Sequence, residues 1–287
     1  MKKFLRVMLI SAAVFLVVGL GFSIGGIAMG ATLEGVHIID EIKHQYREIT
    51  REIREESWDE DLDDLKEIDS EYTAGSGDGV YVYDAIDEVD VELKYDTLMI
   101  ENYSENTVRV EVKNDPEGDI RVSNEGKELK IQGGNRSEDD RTVILYLPEK
   151  TVLKKFSAEV DAGLIELTGD FTADEADIQI GAGQISNEGT LQVEDLDIKV
   201  DAGAMELYGL TADRVKGECG VGSMYLGMSG REEDYNYKLK CDLGKIIIGE
   251  KEYVSLGRNQ TLDNQGAAGK MELECGMGEI AVEFEEV

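Results

Sequence analysis

Ala158-Glu-Val-Asp-Ala-Gly-Leu-Ile-Glu-Leu167 decides the fold, because the chain repeats it. The pattern returns at Ile178-Gln-Ile-Gly-Ala-Gly-Gln-Ile-Ser-Asn187 and Ile198-Lys-Val-Asp-Ala-Gly-Ala-Met-Glu-Leu207, and more loosely at Gly217–Leu226, Leu239–Ile248 and Leu273–Val282. Each copy carries a glycine at the same point: Gly163, Gly183, Gly203, Gly222, Gly244 and Gly278. The first gaps are 20, 20 and 19 residues and the last two are 22 and 34, so the later copies carry insertions. A fixed period near twenty is the mark of a solenoid, in which each unit buries its apolar face on its neighbours.

Within a copy the apolar residues alternate, which is strand periodicity. One column reads Val160, Ile180, Val200, Cys219, Cys241, Cys275, and two residues later comes a second, Ala162, Ala182, Ala202, Val221, Leu243, Met277. After the glycine the parity flips, and the next column, Ile165, Ile185, Met205, Met224, Ile246, Ile280, lies three residues on. A parity change marks a corner, and glycine suits a corner because it takes φ > 0 without a Cβ clash. The expectation is an all-β fold, a parallel β-helix-like β-solenoid with rungs of ~20 residues stacked ~4.8 Å apart. A string of antiparallel hairpins is the rival.

The three cysteines fall in one repeat column, so the solenoid makes them a buried thiol column rather than a disulfide framework. Cys219 and Cys241 are expected on successive rungs. Three sulfurs in a line without a nearby histidine do not make a zinc site, which wants four ligands or three with an open position. Small buried hydrophobes are the expected role.

Outward from the repeat, the chain carries 62 acidic and 29 basic residues, a net charge of -33. Such a surface repels nucleic acid and anionic head groups. Val7–Leu33 is 27 residues without a charge, preceded by Lys2, Lys3 and Arg6 and followed by acids. A bilayer needs ~20 apolar residues, and the charge bias places the N-terminus in the cytoplasm. Residues 1–33 are therefore expected to be a transmembrane anchor, with the rest extracellular. Ala28-x-Gly30 offers a cleavage site, which makes a cleaved signal the lesser alternative. Residues 34–73 read as a charged juxtamembrane helical stalk, with Ile39, Ile42, Tyr46, Ile49 and Ile53 at heptad spacing, which opens the possibility of a homodimer through the stalk. Ala74-Gly-Ser-Gly-Asp-Gly79 reads as a linker. Residues 80–287 form the repeat domain, whose opening strands Val89–Tyr95, Val108–Val112, Leu129–Ile131 and Thr142–Pro148 cap the solenoid.

Those opening strands carry a resemblance. Val89-Asp-Val-Glu-Leu-Lys-Tyr, then Leu129-Lys-Ile, then Val143-Ile-Leu-Tyr-Leu-Pro148, then Ala158–Leu167 resemble the bacterial β-strand-repeat family known as "putative adhesin", domain-of-unknown-function family 4097. The likeness runs from about Val89 to the end. It implies a membrane-anchored Gram-positive envelope protein, in some cases linked to envelope stress, and carries no catalytic residues onto this chain.

Catalytic chemistry is sparse in the pattern itself. Both histidines, His37 and His44, precede the repeat, so no Ser-His-Asp or Cys-His mechanism is available inside it. No phosphate-binding glycine loop or dinucleotide fingerprint is present. A carboxylate pair near the insertions Ser229–Tyr237 and Glu250–Lys270, around Arg231, Glu232, Glu233 and Asp234, is what a polysaccharide-active β-helix enzyme would need. Asp161, Asp201 and Asp242 recur at one corner, which raises calcium as a stabiliser. The expected function is a non-enzymatic, cofactor-free envelope module that binds an envelope protein or polysaccharide.

Overall fold

The computed structural model describes residues 72–133, 141–254 and 259–285, with side chains from residue 77 onward. The expected anchor and the stalk as far as residue 71 lie outside these. Among the described residues no helix is long and apolar enough to cross a membrane.

The chain opens with β1 (Tyr72–Ser76) and β2 (Gly79–Tyr83), then builds a first rung from β3 (Glu88–Leu93) and β4 (Thr97–Tyr103). Next come β5 (Val108–Lys113) and β6 (Arg121–Glu125), then a second rung from β7 (Glu128–Gln132) and β8 (Thr142–Pro148). β9 (Val152–Thr168) and β10 (Phe171–Glu188) are one rung each, and β11 (Leu191–Ser229) runs through two. After a 3₁₀ turn at Glu232–Asp234 come β12 (Tyr235–Cys241) and β13 (Lys245–Ile248), a rung broken at its corner. β14 (Lys251–Val254), β15 (Gln260–Leu262) and β16 (Gly269–Glu285) complete the fold. The stretch 74–79, expected to be a linker, lies mostly within β1 and the start of β2. β1 pairs antiparallel with β6, so this stretch is part of the sheet.

The rungs are parallel and in register. Ile180 stands between Val160 and Val200, and Ile185 between Ile165 and Met205. The two columns flanking the glycine, from Val160 to Cys241 and from Ile165 to Ile246, are no more than 1% exposed. Burying each such side chain stabilises by about 1.5–3 kcal/mol, and the columns of both halves merge into one core. Asn187 interrupts one apolar column between Leu167 and Leu207. It is satisfied by the next rung, accepting from the Tyr208 amide (2.7 Å) and donating to the Tyr208 carbonyl (3.0 Å).

The order of stacking departs from the order of sequence at both ends. β16, last in the chain, lies between β11 and the β12/β13 rung and is parallel to both. Cys275 therefore separates Cys219 from Cys241, which correct the expectation that these two occupy successive rungs. At the other end β3/β4 lies between β7/β8 and β9. The antiparallel strands complete the ends: β6 and β5 cover β7 and β8, while β15 and β14 cover β12 and β13. The caps expected from the opening strands are thus a mixture of two true rungs and four covering strands.

The glycine column follows the same order. A Cβ on Gly183 would sit inside the carbonyl oxygen of Gly163, one on Gly203 inside that of Gly183, and one on Gly222 inside that of Gly203. Gly278 meets Gly222 and Gly244 meets Gly278 in the same way. Gly203 also has φ 148°, a torsion that side chains rarely adopt. Gly244 and Gly278 lack a positive φ, so there the close approach of the preceding rung alone demands glycine.

The second apolar column does not face the core. Met277 is 47% and Leu243 73% exposed, and the residues between them and Ala162 are at most partly covered. At the corner the backbone between two inward residues swings outward, so alternation there does not mean burial.

Candidate interaction surface

The outer face of the solenoid's first half is built from charged columns, because every second residue of these strands points away from the core. Glu175 stands between Lys155 and Asp195, and Asp177 between Ser157 and Asp197. Further along the stack Arg214 neighbours Lys270, and Lys216 neighbours Glu272. Together they line a shallow groove whose middle is acidic, at Glu175, Asp177, Asp195 and Asp197, with Lys155 on one side and, on the other, Arg214, Lys216 and Lys270 together with Glu272.

Ion pairs fix this surface. Arg214 pairs with Asp195 on the neighbouring rung. The Lys216 ammonium lies 2.8 Å from Glu218 and 3.1 Å from Asp197, and these two carboxylates hold its pKa above the ordinary lysine value. Asp177 accepts from the Gln179 amide at 2.8 Å. The pairs are largely exposed, so each contributes at most about 1 kcal/mol. Their effect is to hold the charges at fixed rung spacing.

The three cysteines lie in the core, each no more than 1% exposed and none in a disulfide. Cys275 is opposite both Cys219 and Cys241. The hydrogen bond it donates to the Cys219 sulfur, and then burial, push the Cys275 thiol well above its ordinary pKa. Among the described residues no group of three or more His, Cys, Asp or Glu is arranged to hold a metal ion. Asp161 and Asp201 are each held by a lysine, Lys94 and Lys199, at 3.0 Å.

The insertions near the last rungs tie the end of the stack together. Glu232 pairs with Lys251 at 2.6 Å, and Arg231 with Asp234 at 2.8 Å. Asn264 donates to the Tyr235 carbonyl at 2.7 Å, and Tyr237 donates to the Glu232 carbonyl at 2.7 Å. The Glu232 and Asp234 carboxylates are therefore engaged with cations in the same insertions.

Sequence reasoning missed one charged centre. Arg141, Asp96 and Asp115 are all fully buried at the corner of the first rungs. The Arg141 guanidinium donates to Asp96 and, at 3.4 Å, to Asp115. Asp115 also accepts from the amides of Ile120 (2.7 Å) and Asp119 (3.0 Å). Asp96 occupies the place of the corner glycine in its rung, since its carbonyl is what a Cβ on Gly163 would strike. The network closes the corner ladder where the glycines stop. Nothing in the local pattern links residues 96, 115 and 141, which only the out-of-order rungs bring together.

Residues 85–227 match the family described as Toastrack DUF4097. Among solved structures the chain is similar to a "putative cell adhesion protein" from Clostridium sporogenes, with 13% identity over 74% of this chain and 100% of that one and a TM-score of 0.45. It is also similar to a "putative adhesin" from Bacteroides fragilis, with 12% identity over 75% of this chain and 98% of that one and a TM-score of 0.33. No curated protein matches the chain.

Proposed function

We propose that this chain, whose residues 85–227 carry a Toastrack DUF4097 domain, is a non-enzymatic envelope module that binds or scaffolds a partner outside the membrane. In this reading residues 1–33 anchor it by a single pass with the N-terminus in the cytoplasm, and the charged segment 34–73 spaces the solenoid from the bilayer. The observation that carries the reading is the groove of charged columns on consecutive rungs. Its charges stand one rung apart along five consecutive rungs, which fits an extended partner, an envelope protein or polysaccharide, better than a small molecule.

The full chain and its Arg214→Glu/Lys216→Glu variant are to be tested against separated envelope protein and polysaccharide fractions. The wild type should retain material from one fraction, and the variant should lose at least four-fifths of it. Equal retention by both would remove the groove from the proposal, and release of soluble sugar from the polysaccharide would overturn the non-enzymatic reading. Protease added to intact cells should digest the solenoid and spare a small membrane fragment.

A further inference from the structure

We propose that the glycine corner is a self-association surface on which two copies of this chain pack antiparallel, ridge against ridge. The ridge is the outward column described above. Its order in space begins at Tyr95, whose neighbour Lys94 accepts the Ala162 amide at its carbonyl, and continues through the alanines 162, 182 and 202 to Val221, Met277 and Leu243. Tyr95 stands at one end, 49% exposed, the three alanines follow, and Val221, Met277 and Leu243 make the other end, with Met277 47% and Leu243 73% exposed. Apolar side chains this exposed, aligned along one edge of a chain with a net charge of -33, make a patch that a partner would cover.

The occupant that fits is a second copy. Both ridges have the same rung spacing of ~4.8 Å, so one matched pair sets the register of all. Antiparallel pairing about a two-fold axis at Ala202 places Tyr95 against Leu243 of the partner, Ala162 against Met277 and Ala182 against Val221. Each large residue beyond the end pair meets an alanine, and Ala202 meets itself. The adjoining column completes the match. Lys94 falls opposite Asp242 of the partner at both ends, and Asp161 falls opposite Gly276. The one like-charge meeting, Asp201 with itself, is offset by Lys199, 3.0 Å from each Asp201. On the other flank run the corner glycines, which let the two backbones approach. A parallel pairing would stack Leu243 on Leu243 and Asp242 on Asp242 and has none of these complements. The contact is a single narrow strip, which places it among weak, reversible interfaces.

The test is site-directed cross-linking of the full chain in intact cells with a short bis-maleimide. Ala202→Cys alone should give a covalent dimer. Tyr95→Cys or Leu243→Cys alone should not, whereas two differently tagged chains carrying one each should join. Lys94→Asp should lower the Ala202→Cys cross-link at least fivefold, and Asp242→Lys in the same chain should restore it. The buried native cysteines report folding, since they stay unlabelled in any variant that folds. A folded Ala202→Cys chain that stays monomeric, joins only other proteins, or joins no better than Tyr95→Cys alone would overturn the proposal.

Discussion

Gly203 shows at the scale of one residue why the repeat keeps glycine. Its φ of 148° and the Gly183 carbonyl beneath it both exclude a side chain. Gly203→Val should therefore cost about 3 kcal/mol or more, read as a fall in the urea midpoint of unfolding. Gly266 is the control. It has φ 91° but nothing within 4 Å of a Cβ, so Gly266→Ala should cost only about 1 kcal/mol. Equal costs at the two sites would mean that the close approach between rungs contributes nothing. Asp87 is a second single-residue case. It binds Lys154 at 2.9 Å and Lys127 at 3.2 Å, residues in or beside β9 and β7, and those hydrogen bonds depress its pKa. A depressed carboxylate contributes stability that is present above its ordinary pKa of 3.8 and lost as pH falls through the lowered value. Asp87→Asn should flatten the acid limb of stability below about pH 4 and leave the pH dependence from 7 to 9 unchanged.

At the scale of elements, β16 is the piece that makes the last rung possible. β12 and β13 reach β11 only through it, since their strand partners are β16, β14 and β15. Ending the chain at residue 268 should therefore unprotect the amides of β12 and β13 in hydrogen exchange while β9 and β10 stay protected. Persisting protection in β12 would mean that this rung can stack directly on β11. The six repeat units, the corner glycines and the inward columns were legible in the sequence because neighbouring rungs impose one environment on equivalent positions. The stacking order was not, because equivalent positions are interchangeable by the same logic. A faint signal exists in hindsight: Glu218-Cys-Gly-Val-Gly222 and Glu274-Cys-Gly-Met-Gly278 are more alike than either is to Lys240-Cys-Asp-Leu-Gly244, and the first two are in contact.

For the whole molecule the excess of acid is the dominant long-range term. A net charge of -33 makes the compact state repel itself, and salt screens that repulsion over a Debye length of about 8–10 Å. Raising sodium chloride from about 0.02 to 0.2 M should raise the urea midpoint of the full chain. A midpoint that falls would show that the ion pairs on its surface outweigh the repulsion. Composition and periodicity by themselves determined the all-β class, the repeat of about twenty residues, the buried cysteines and the acidic charge, because each follows from residue content, local alternation or repetition, whereas parallel pairing over antiparallel hairpins was settled by the strand register. Three features were decided only in three dimensions. The insertion of β16 and of β3/β4 between non-consecutive rungs depends on which strand edge is left open when the chain returns. The burial of Arg141 with Asp96 and Asp115 depends on that crossing of rungs. The outward turn of the column from Ala162 to Leu243 arises at the corner, where the path of the backbone, and not the alternation of side chains, sets which way a residue points.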